Sequence, residues 1–112
     1  MLLDFWGVWC GNCVETAPDL VATYNRLRKL GFEVIGIDVN DSEQLLRQFI
    51  ADQKMPWSQI MEKEGSGQLQ QLYRVKAFPT YYLLDKNGTI IMRKEGRLDH
   101  VELSRKVVAA LK

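Results

Sequence analysis

This sequence contains few cysteines, histidines and prolines, and its positive and negative charges nearly balance. Among 112 residues there are two cysteines, one histidine and three prolines. The 15 basic and 14 acidic residues leave a formal net charge of +1, which gives no reason to expect a nucleic acid or an anionic membrane as a partner. No apolar run approaches the roughly 18 residues of a transmembrane helix, and no signal peptide is visible. We therefore expect no membrane contact from this chain itself.

The two cysteines, Cys10 and Cys13, stand only three positions apart. Two cysteines exclude a disulfide-rich scaffold, and a bridge between them would close a loop too short to remove much entropy from the unfolded chain. A structural zinc site needs about four ligands, and His100 is the one histidine; it is most simply a solvated residue that opens the last helix. A structural staple, a metal site shared across a dimer and a redox pair are the three interpretations that the spacing leaves open.

The rest of the sequence has the length of one domain, 46% apolar and 26% charged residues, which is ordinary for a chain that builds its own core. Leu27 and Leu30 end an apolar helical stripe before a capping Gly31, and Leu45 and Leu46 are expected to face inward from a second helix. The predicted strands are 2–6, 32–39, 57–61, 80–85 and 89–95; the predicted helices are 13–30, 42–54 (capped by Asp41 or Ser42), a short one at 69–73, and 100–111; 64–67 is a predicted loop.

This order of elements predicts an α/β fold. Strand, helix, strand and helix imply parallel strands, and the later pair around Asn87–Gly88 reads as an antiparallel hairpin. Helices must then cover both faces of a mixed sheet of about five strands. No internal repeat, low-complexity segment or linker divides the chain, so residues 1–112 are expected to form a single domain.

In this order Cys10 lies where the first strand ends and the long helix begins. The first N–H groups of a helix have no partner within it, and together with the helix dipole they favour an anion at that point. Both effects favour the thiolate, which is the nucleophilic form of cysteine. We therefore expect Cys10 to attack and Cys13, one turn later and more buried, to resolve.

Three further residues close to this turn have candidate roles. Asp4 lies within an apolar strand, where a buried carboxylate should have a raised pKa and could exchange a proton with Cys13; alternatively it reaches solvent at a sheet edge. Trp9 either shields the disulfide and offers a docking surface, or is a core tryptophan. Pro18 falls inside the helix, where a structural role is favoured.

The segments "LLDFWGVWCGNC" and "AFPTYYLLDKNGTI", with Pro18 and Gly96, resemble the thioredoxin superfamily in order and spacing. The long segment between Cys10 and Pro79, with "MPWSQIM", resembles the insertion of TlpA/ResA-like thiol–disulfide oxidoreductases. The resemblance implies a thioredoxin fold and four roles: Cys10 as nucleophile, Cys13 as resolving thiol, Asp4 as buried acid and Pro79 as a cis-proline facing the disulfide. Asp41 falls near the position where some ResA-like members carry an active-site acid, so it is a candidate second acid. The residues expected to dock a substrate are Trp9, Gly11, Asn12, Phe78 and Gly96.

The sequence also departs from that family. Gly11–Asn12 stands where Gly-Pro is usual for thioredoxin, and the N–H of Asn12 is expected close to the Cys10 sulfur. Strands that family members have before the CxxC strand are missing, so the chain is expected to be truncated at its N-terminus. We expect segment 57–61 to cover the edge of strand 32–39, giving the sheet order 57–61, 32–39, 2–6, 80–85, 89–95.

The predicted function is thiol–disulfide exchange with partner proteins by a monomer that needs no cofactor and holds no metal. An upstream redox partner would reset the cysteine pair. The resemblance further implies an extracytoplasmic bacterial protein, periplasmic or membrane-anchored at full length, with a role in cytochrome c maturation. The alternative is a binding module of the same fold, whose cysteines hold a metal or support partner docking without turnover.

Overall fold

The fold is an α/β sandwich around one mixed sheet. The computed structural model describes residues 1–63 and 67–111, so most of the loop predicted at 64–67 lies outside the described residues. Strands are β1 (Leu2–Trp6), β2 (Val34–Val39), β3 (Ser58–Glu62), β4 (Thr80–Leu84) and β5 (Ile90–Glu95); helices are α1 (Gly11–Leu27), α2 (Glu43–Gln53), α3 (Gln68–Leu72) and α4 (His100–Ala110), and a 3₁₀ turn at Arg28–Leu30 follows α1.

The strand order is β3-β2-β1-β4-β5, as predicted. β1 pairs in parallel with β2, and β2 with β3, whereas β4 is antiparallel to both β1 and β5. β1 is therefore the central strand, with a neighbour on each side. Every side chain of β1 is buried, since both faces of this strand are covered.

The two faces of the sheet carry separate apolar clusters. Leu2 and Trp6 pack with side chains of α1, α2 and α4, in a cluster that also contains Cys10 and Cys13. Leu3 and Phe5 point to the opposite face and pack under α3. Because side chains alternate along a strand, Asp4 lies on the same face as Leu2 and Trp6, which is the face of the cysteines.

Two leucines expected to face inward are exposed instead. Leu30 is 53% exposed, because α1 ends at Leu27 and the tighter 3₁₀ turn changes the phase of the residues that follow. Leu45 is 45% exposed in the first turn of α2, where Ser42 caps the helix by accepting a hydrogen bond from the Leu45 backbone N–H at 3.1 Å. Leu46 alone of this pair faces the core.

His100 begins α4, as predicted, but it is not a solvated residue. Its ring is partly buried between α4 and α1, and Nδ1 lies 2.8 Å from the Thr23 hydroxyl. Burial lowers the pKa of the imidazole, and the nearby positive charge of Arg26 acts in the same direction, against the negative charges of Asp19 and Asp99. The amphipathic pattern of α4 did not reveal this contact, because it depends on where α1 lies in space.

Candidate active site

Cys10 is the N-cap residue of α1, which starts directly after the loop that leaves β1. The backbone N–H of Cys10 donates to the Gly7 carbonyl at 3.1 Å, which closes the turn, and the Cys10 carbonyl accepts the first helical bond from Val14 at 3.1 Å. Cys10 and Cys13 form a disulfide with their Cα atoms 5.2 Å apart. The strand-to-helix junction therefore places the two sulfurs together at a helix N-terminus.

The electrostatics of this turn favour negative charge on Cys10. Its Sγ accepts a hydrogen bond from the Cys13 backbone N–H at 3.3 Å, one of the helix-start N–H groups that lack a partner within the helix. The sequence places the Asn12 N–H close to this sulfur as well, but the hydrogen bond that the structure gives the sulfur comes from Cys13, the third residue of the helix. Gly11 and Asn12 are exposed.

Trp9 is not a core tryptophan. It is 47% exposed, and its indole ring meets that of Phe78 edge-on at 5.3 Å between centroids. The indole N–H donates to the Val39 carbonyl at 2.6 Å, so the ring is fixed at the end of β2. Phe78 in turn packs against the cluster that holds both cysteines. These two rings form an aromatic surface beside the disulfide.

Phe78 and Pro79 are joined by a cis peptide bond immediately before β4. Pro79 is buried, and its carbonyl accepts a hydrogen bond from the Gly96 backbone N–H at 2.8 Å. Gly96 has φ +83°, a conformation that glycine adopts without steric cost. The hydrogen bond between Gly96 and Pro79 brings the predicted docking residues Phe78 and Gly96 close together, in neighbouring loops at one end of the β4–β5 pair.

Asp4 lies in the middle of the central strand, between Gly36 of β2 and Tyr81 of β4, so the sheet-edge interpretation is wrong. It is 4% exposed, and burial raises the pKa of its carboxyl group to about 8. Its Oδ1 has no hydrogen-bond donor among the described residues. A neutral carboxylic acid near pH 7 is the form that this environment favours.

Polar groups connect the neighbourhood of Asp4 to the cysteines. Burial raises the pKa of the Tyr81 hydroxyl, the negative charge of Asp4 adds to the rise, and a side-chain hydrogen bond with Thr16 opposes it. Thr16 itself donates to the backbone carbonyls of Asn12 and Cys13, at 2.9 and 3.2 Å. Asp4, Tyr81 and Thr16 therefore form a buried polar group that reaches the first turn of α1.

A glutamine that the sequence did not single out lies over the same part of the sheet. Gln59 of β3 pairs in register with Gly36, and its side chain crosses the space that a Cβ at Gly36 would fill. Its Oε1 accepts a hydrogen bond from the Trp6 indole N–H at 2.9 Å. The absence of a side chain at Gly36 thus lets an edge-strand residue reach Trp6 on the central strand.

The close approach of the Gln59 side chain to Gly36 predicts that Gly36→Ala destabilises the fold. The added methyl would collide with the amide of Gln59 and displace it, leaving the Trp6 indole N–H buried without an acceptor. We expect a loss of about 1–3 kcal/mol in the free energy of unfolding, the usual cost of an unsatisfied buried donor, measured by urea denaturation.

The matched control is Gly36→Ala in a Gln59→Ala background, in which no amide remains to be displaced. In that background, Gly36→Ala should lower the free energy of unfolding by less than about 0.5 kcal/mol relative to Gln59→Ala alone. An equal cost of Gly36→Ala in both backgrounds would show that Gln59 does not explain the glycine.

Asp41 contacts the cysteine loop through the backbone and not through a sulfur. Its Oδ2 accepts a hydrogen bond from the Val8 backbone N–H at 2.8 Å. Beside it, Asp38 is fully buried at the end of β2, and sequence reasoning missed it. The available signal was the same one that drew attention to Asp4, an acid inside an otherwise apolar strand.

Within residues 1–63 and 67–111 there is no group of three or more histidine, cysteine, aspartate or glutamate side chains that could hold a metal ion. In the same ranges, no helix is both long enough and apolar enough to cross a membrane.

Comparison with known proteins agrees with this geometry. A thioredoxin-like family model matches residues 1–90. The thiol-disulfide oxidoreductase ResA of Bacillus thuringiensis subsp. konkukian (strain 97-27) is 27% identical over 96 residues, which cover 86% of this chain and 54% of that protein. The chain thus spans about half the length of this relative.

Two solved structures are similar over nearly the whole chain. One is a putative thiol:disulfide interchange protein DsbE from Chlorobium tepidum, with a TM-score of 0.81, 29% identity, and coverage of 99% of this chain and 79% of the other. The second is the thioredoxin domain of a thiol-disulfide oxidoreductase from Bacteroides vulgatus, with a TM-score of 0.81, 27% identity, and coverage of 99% and 78%. With a family model that matches most of its length and a cysteine pair at the N-terminus of α1, this chain belongs to the thioredoxin-like family.

Proposed function

We propose that this protein is a thiol–disulfide oxidoreductase that exchanges its Cys10–Cys13 pair with the thiols and disulfides of other proteins. The observation that carries the proposal is the position of the pair: a disulfide at a helix N-terminus, with the Cys10 sulfur held by a backbone N–H. This geometry stabilises the thiolate that disulfide exchange requires. No bound cofactor is needed, because the two cysteine sulfurs carry the electrons themselves: the dithiol gives up two electrons when the disulfide forms and takes up two when it is reduced.

In the reducing direction, the Cys10 thiolate attacks one sulfur of a partner disulfide, and the other partner sulfur leaves as a thiolate. The resulting mixed disulfide is attacked by Cys13, which must first lose its proton. The Cys10–Cys13 bond then forms, and the second partner sulfur is released. Two electrons pass to the partner, and an upstream dithiol partner returns the pair to its reduced form by the same steps in reverse.

Asp4 is the proposed proton acceptor for Cys13. Its pKa of about 8 lies close to the ordinary pKa of a thiol, so the proton can pass in either direction near neutral pH. Asp4 lies on the face of the sheet that carries the cysteines, beside Tyr81. Tyr81 and Thr16 continue the polar path to the backbone of Cys13.

The proposed docking surface surrounds the disulfide. Trp9 and Phe78 supply apolar area, and Gly11 and Asn12 between the two cysteines are exposed. An extended partner segment would lie along the backbone before the cis-proline Pro79 and beside Gly96, pairing with free backbone groups as an added strand does.

The wider setting is proposed by analogy with the relatives named above. We propose an extracytoplasmic protein, periplasmic or membrane-anchored at full length, acting on protein thiols in cytochrome c maturation. Residues 1–112 would act as a single thioredoxin-like domain and as a monomer. The resemblance to ResA and DsbE supports this setting.

Reduction of insulin disulfides in the presence of dithiothreitol tests the function. We expect the wild type to accelerate insulin precipitation at least tenfold over dithiothreitol alone, and the Cys10→Ser/Cys13→Ser double variant to give only the background rate. A binding module that uses its cysteines without turnover would leave the wild type at that background rate too.

A further inference from the structure

The side chain of Trp9 bends back over the loop that leads from β1 to Cys10. Its indole N–H donates to the Val39 carbonyl at 2.6 Å, although the residue is 47% exposed. A half-exposed side chain can occupy several staggered rotamers, and this hydrogen bond selects one of them. The ring therefore has a fixed position on the surface that does not depend on burial in the core.

Gly7 provides the space in which the indole of Trp9 lies. A Cβ atom at position 7 would overlap the indole nitrogen and would lie 2.7 and 2.9 Å from the Cε2 and Cδ1 atoms of the same ring. Cβ atoms in folded proteins essentially never come within 3.0 Å of such neighbours. With any side chain at position 7, the ring of Trp9 has to move.

Backbone conformation does not explain this glycine. Gly31, Gly88 and Gly96 have positive φ angles, and Gly7 does not, so its φ angle is one that alanine can adopt. Gly11, the other glycine near Cys10, is a useful contrast, because a Cβ there would meet no atom of the described residues within 4 Å. Space for the Trp9 indole is thus the specific requirement at position 7.

The backbone of the same loop is held by other hydrogen bonds. The Gly7 carbonyl accepts from the Cys10 backbone N–H at 3.1 Å, and the Val8 backbone N–H donates to Asp41 Oδ2 at 2.8 Å. Neither bond involves the indole of Trp9. A displaced ring would leave both bonds in place, so the position of Cys10 does not depend on the ring.

The turn after β2 supplies the acceptors for both the ring and the loop backbone. Val39 is the last residue of β2, and Asn40 has φ +62°, a left-handed conformation that asparagine adopts more readily than most residues. The Asn40 backbone N–H donates to the Glu62 carbonyl of β3 at 2.7 Å. Because β3 holds this turn, the Val39 carbonyl and the Asp41 carboxylate have fixed positions beside the loop.

The ring held in this way forms one uncharged surface with Phe78. The two rings meet edge-on at 5.3 Å between centroids, and Phe78 packs against the cluster that contains both cysteines. Residues next to a partner's cysteine would therefore meet the two rings. Burial of apolar side chains against such rings is favourable, whereas polar side chains gain little there.

We propose that Gly7 is a specificity-determining residue. By leaving room for the Trp9 indole, it fixes the aromatic surface of Trp9 and Phe78, which selects protein disulfides flanked by apolar side chains. The selection of partners rests on the proposed oxidoreductase function, whereas the placement of the ring by Gly7 does not. Gly7→Ala would keep the cysteine pair and lose the surface.

Hydrogen exchange of the Trp9 indole N–H tests the placement, measured by NMR on the oxidised protein and assigned by its loss in Trp9→Phe. Gly7→Ala should shift this resonance and speed its exchange at least tenfold, because the N–H loses the Val39 carbonyl. The indole resonances of Trp6 and Trp57 report that the fold is retained. Gly11→Ala, which adds a methyl in open space, is the matched control and should change neither shift nor exchange. An unchanged Trp9 resonance in Gly7→Ala overturns the placement.

The selection is tested with three disulfides. Two are peptides of the same sequence, in which the disulfide is flanked by leucines or by serines, and the third is hydroxyethyl disulfide, which has no side chains. In each reaction the reduced protein is oxidised to the Cys10–Cys13 disulfide, and the substrate disulfide is reduced to two thiols.

The wild-type rate constant should be about fivefold greater for the leucine peptide than for the serine peptide. Gly7→Ala and Trp9→Ala should each bring this ratio to within twofold of one. The rate constant of Gly7→Ala with hydroxyethyl disulfide should stay within twofold of the wild type, because Cys10 does not move. In a Trp9→Ala background, Gly7→Ala should change no rate constant more than twofold, since no indole remains to be displaced.

The possible failures are distinguishable. A wild type without the leucine preference, a preference that survives in Gly7→Ala, or an equal fall of all three rate constants in that variant overturns the specificity role. The equal fall would show that the methyl disturbs the cysteine loop itself. A wild type that reduces none of the three disulfides contradicts the proposed function, and the exchange of the indole N–H still decides whether Gly7 places Trp9.

Discussion

Cys13→Ser is expected to accumulate a mixed disulfide with its partner protein, whereas Cys10→Ser is not. Cys10 is the N-cap of α1, and its sulfur accepts the Cys13 backbone N–H, so it is the thiolate that attacks. With serine at position 13, nothing resolves the intermediate. Incubation of each reduced variant with oxidised insulin, followed by non-reducing electrophoresis and mass spectrometry, should show at least tenfold more adduct with Cys13→Ser.

The exposures of the two side chains, 8% for Cys10 and 4% for Cys13, are both low, so burial alone would not separate their roles. The helix-terminal hydrogen bond is the feature that does. The double serine variant controls for non-specific adducts. More adduct with Cys10→Ser than with Cys13→Ser would reverse the assignment of nucleophile and resolving thiol.

Asp4→Asn is expected to stabilise the fold and to slow exchange. An acid whose pKa rises from 3.8 in the unfolded chain to about 8 in the folded protein binds more protons when folded, so its cost to stability is absent below about pH 4, grows as pH rises, and is complete above pH 8. Removing the acid should therefore raise the free energy of unfolding of the oxidised protein by on the order of 2–4 kcal/mol at pH 7.

Urea denaturation at pH 5 and pH 8 checks the sign of this effect, since the gain must be larger at pH 8. Asp52→Asn, at an exposed position on α2, is the matched control and should show no such gain. In the same Asp4→Asn protein, release of partner from the mixed disulfide should slow about tenfold near neutral pH, because Cys13 loses its proton acceptor. A gain in stability without any slowing would leave Asp4 with a structural role only.

The sheet and the cysteine turn could be predicted because their signals are local. β-branched runs and an Asn-Gly turn mark strands and a hairpin, and a CxxC directly after a buried strand marks a helix N-terminus. The sheet order followed from the resemblance to a known fold. Asp4 could also be singled out, because an acid within an apolar strand is conspicuous in a sequence.

Contacts between distant segments could not be predicted in the same way. His100 meets Thr23 only because α4 packs on α1, and Gln59 reaches Trp6 only because Gly36 lies between them in register. Asp38 occupies a strand position as unusual as that of Asp4, yet its complete burial at the end of β2 becomes visible only in the folded protein. The exposure of Leu30 likewise depends on a change of helix type that apolar periodicity does not encode.

The central claim is that Cys10 and Cys13 form one reversible redox couple. Equilibration of the protein with reduced and oxidised glutathione over a range of ratios, followed by acid quenching and mass spectrometry, measures this directly. We predict a single two-electron transition between dithiol and disulfide, reached from both directions and abolished in Cys10→Ser. Thiols that do not form the disulfide at any glutathione ratio, or a disulfide that reductant cannot open in the folded protein, would contradict the account.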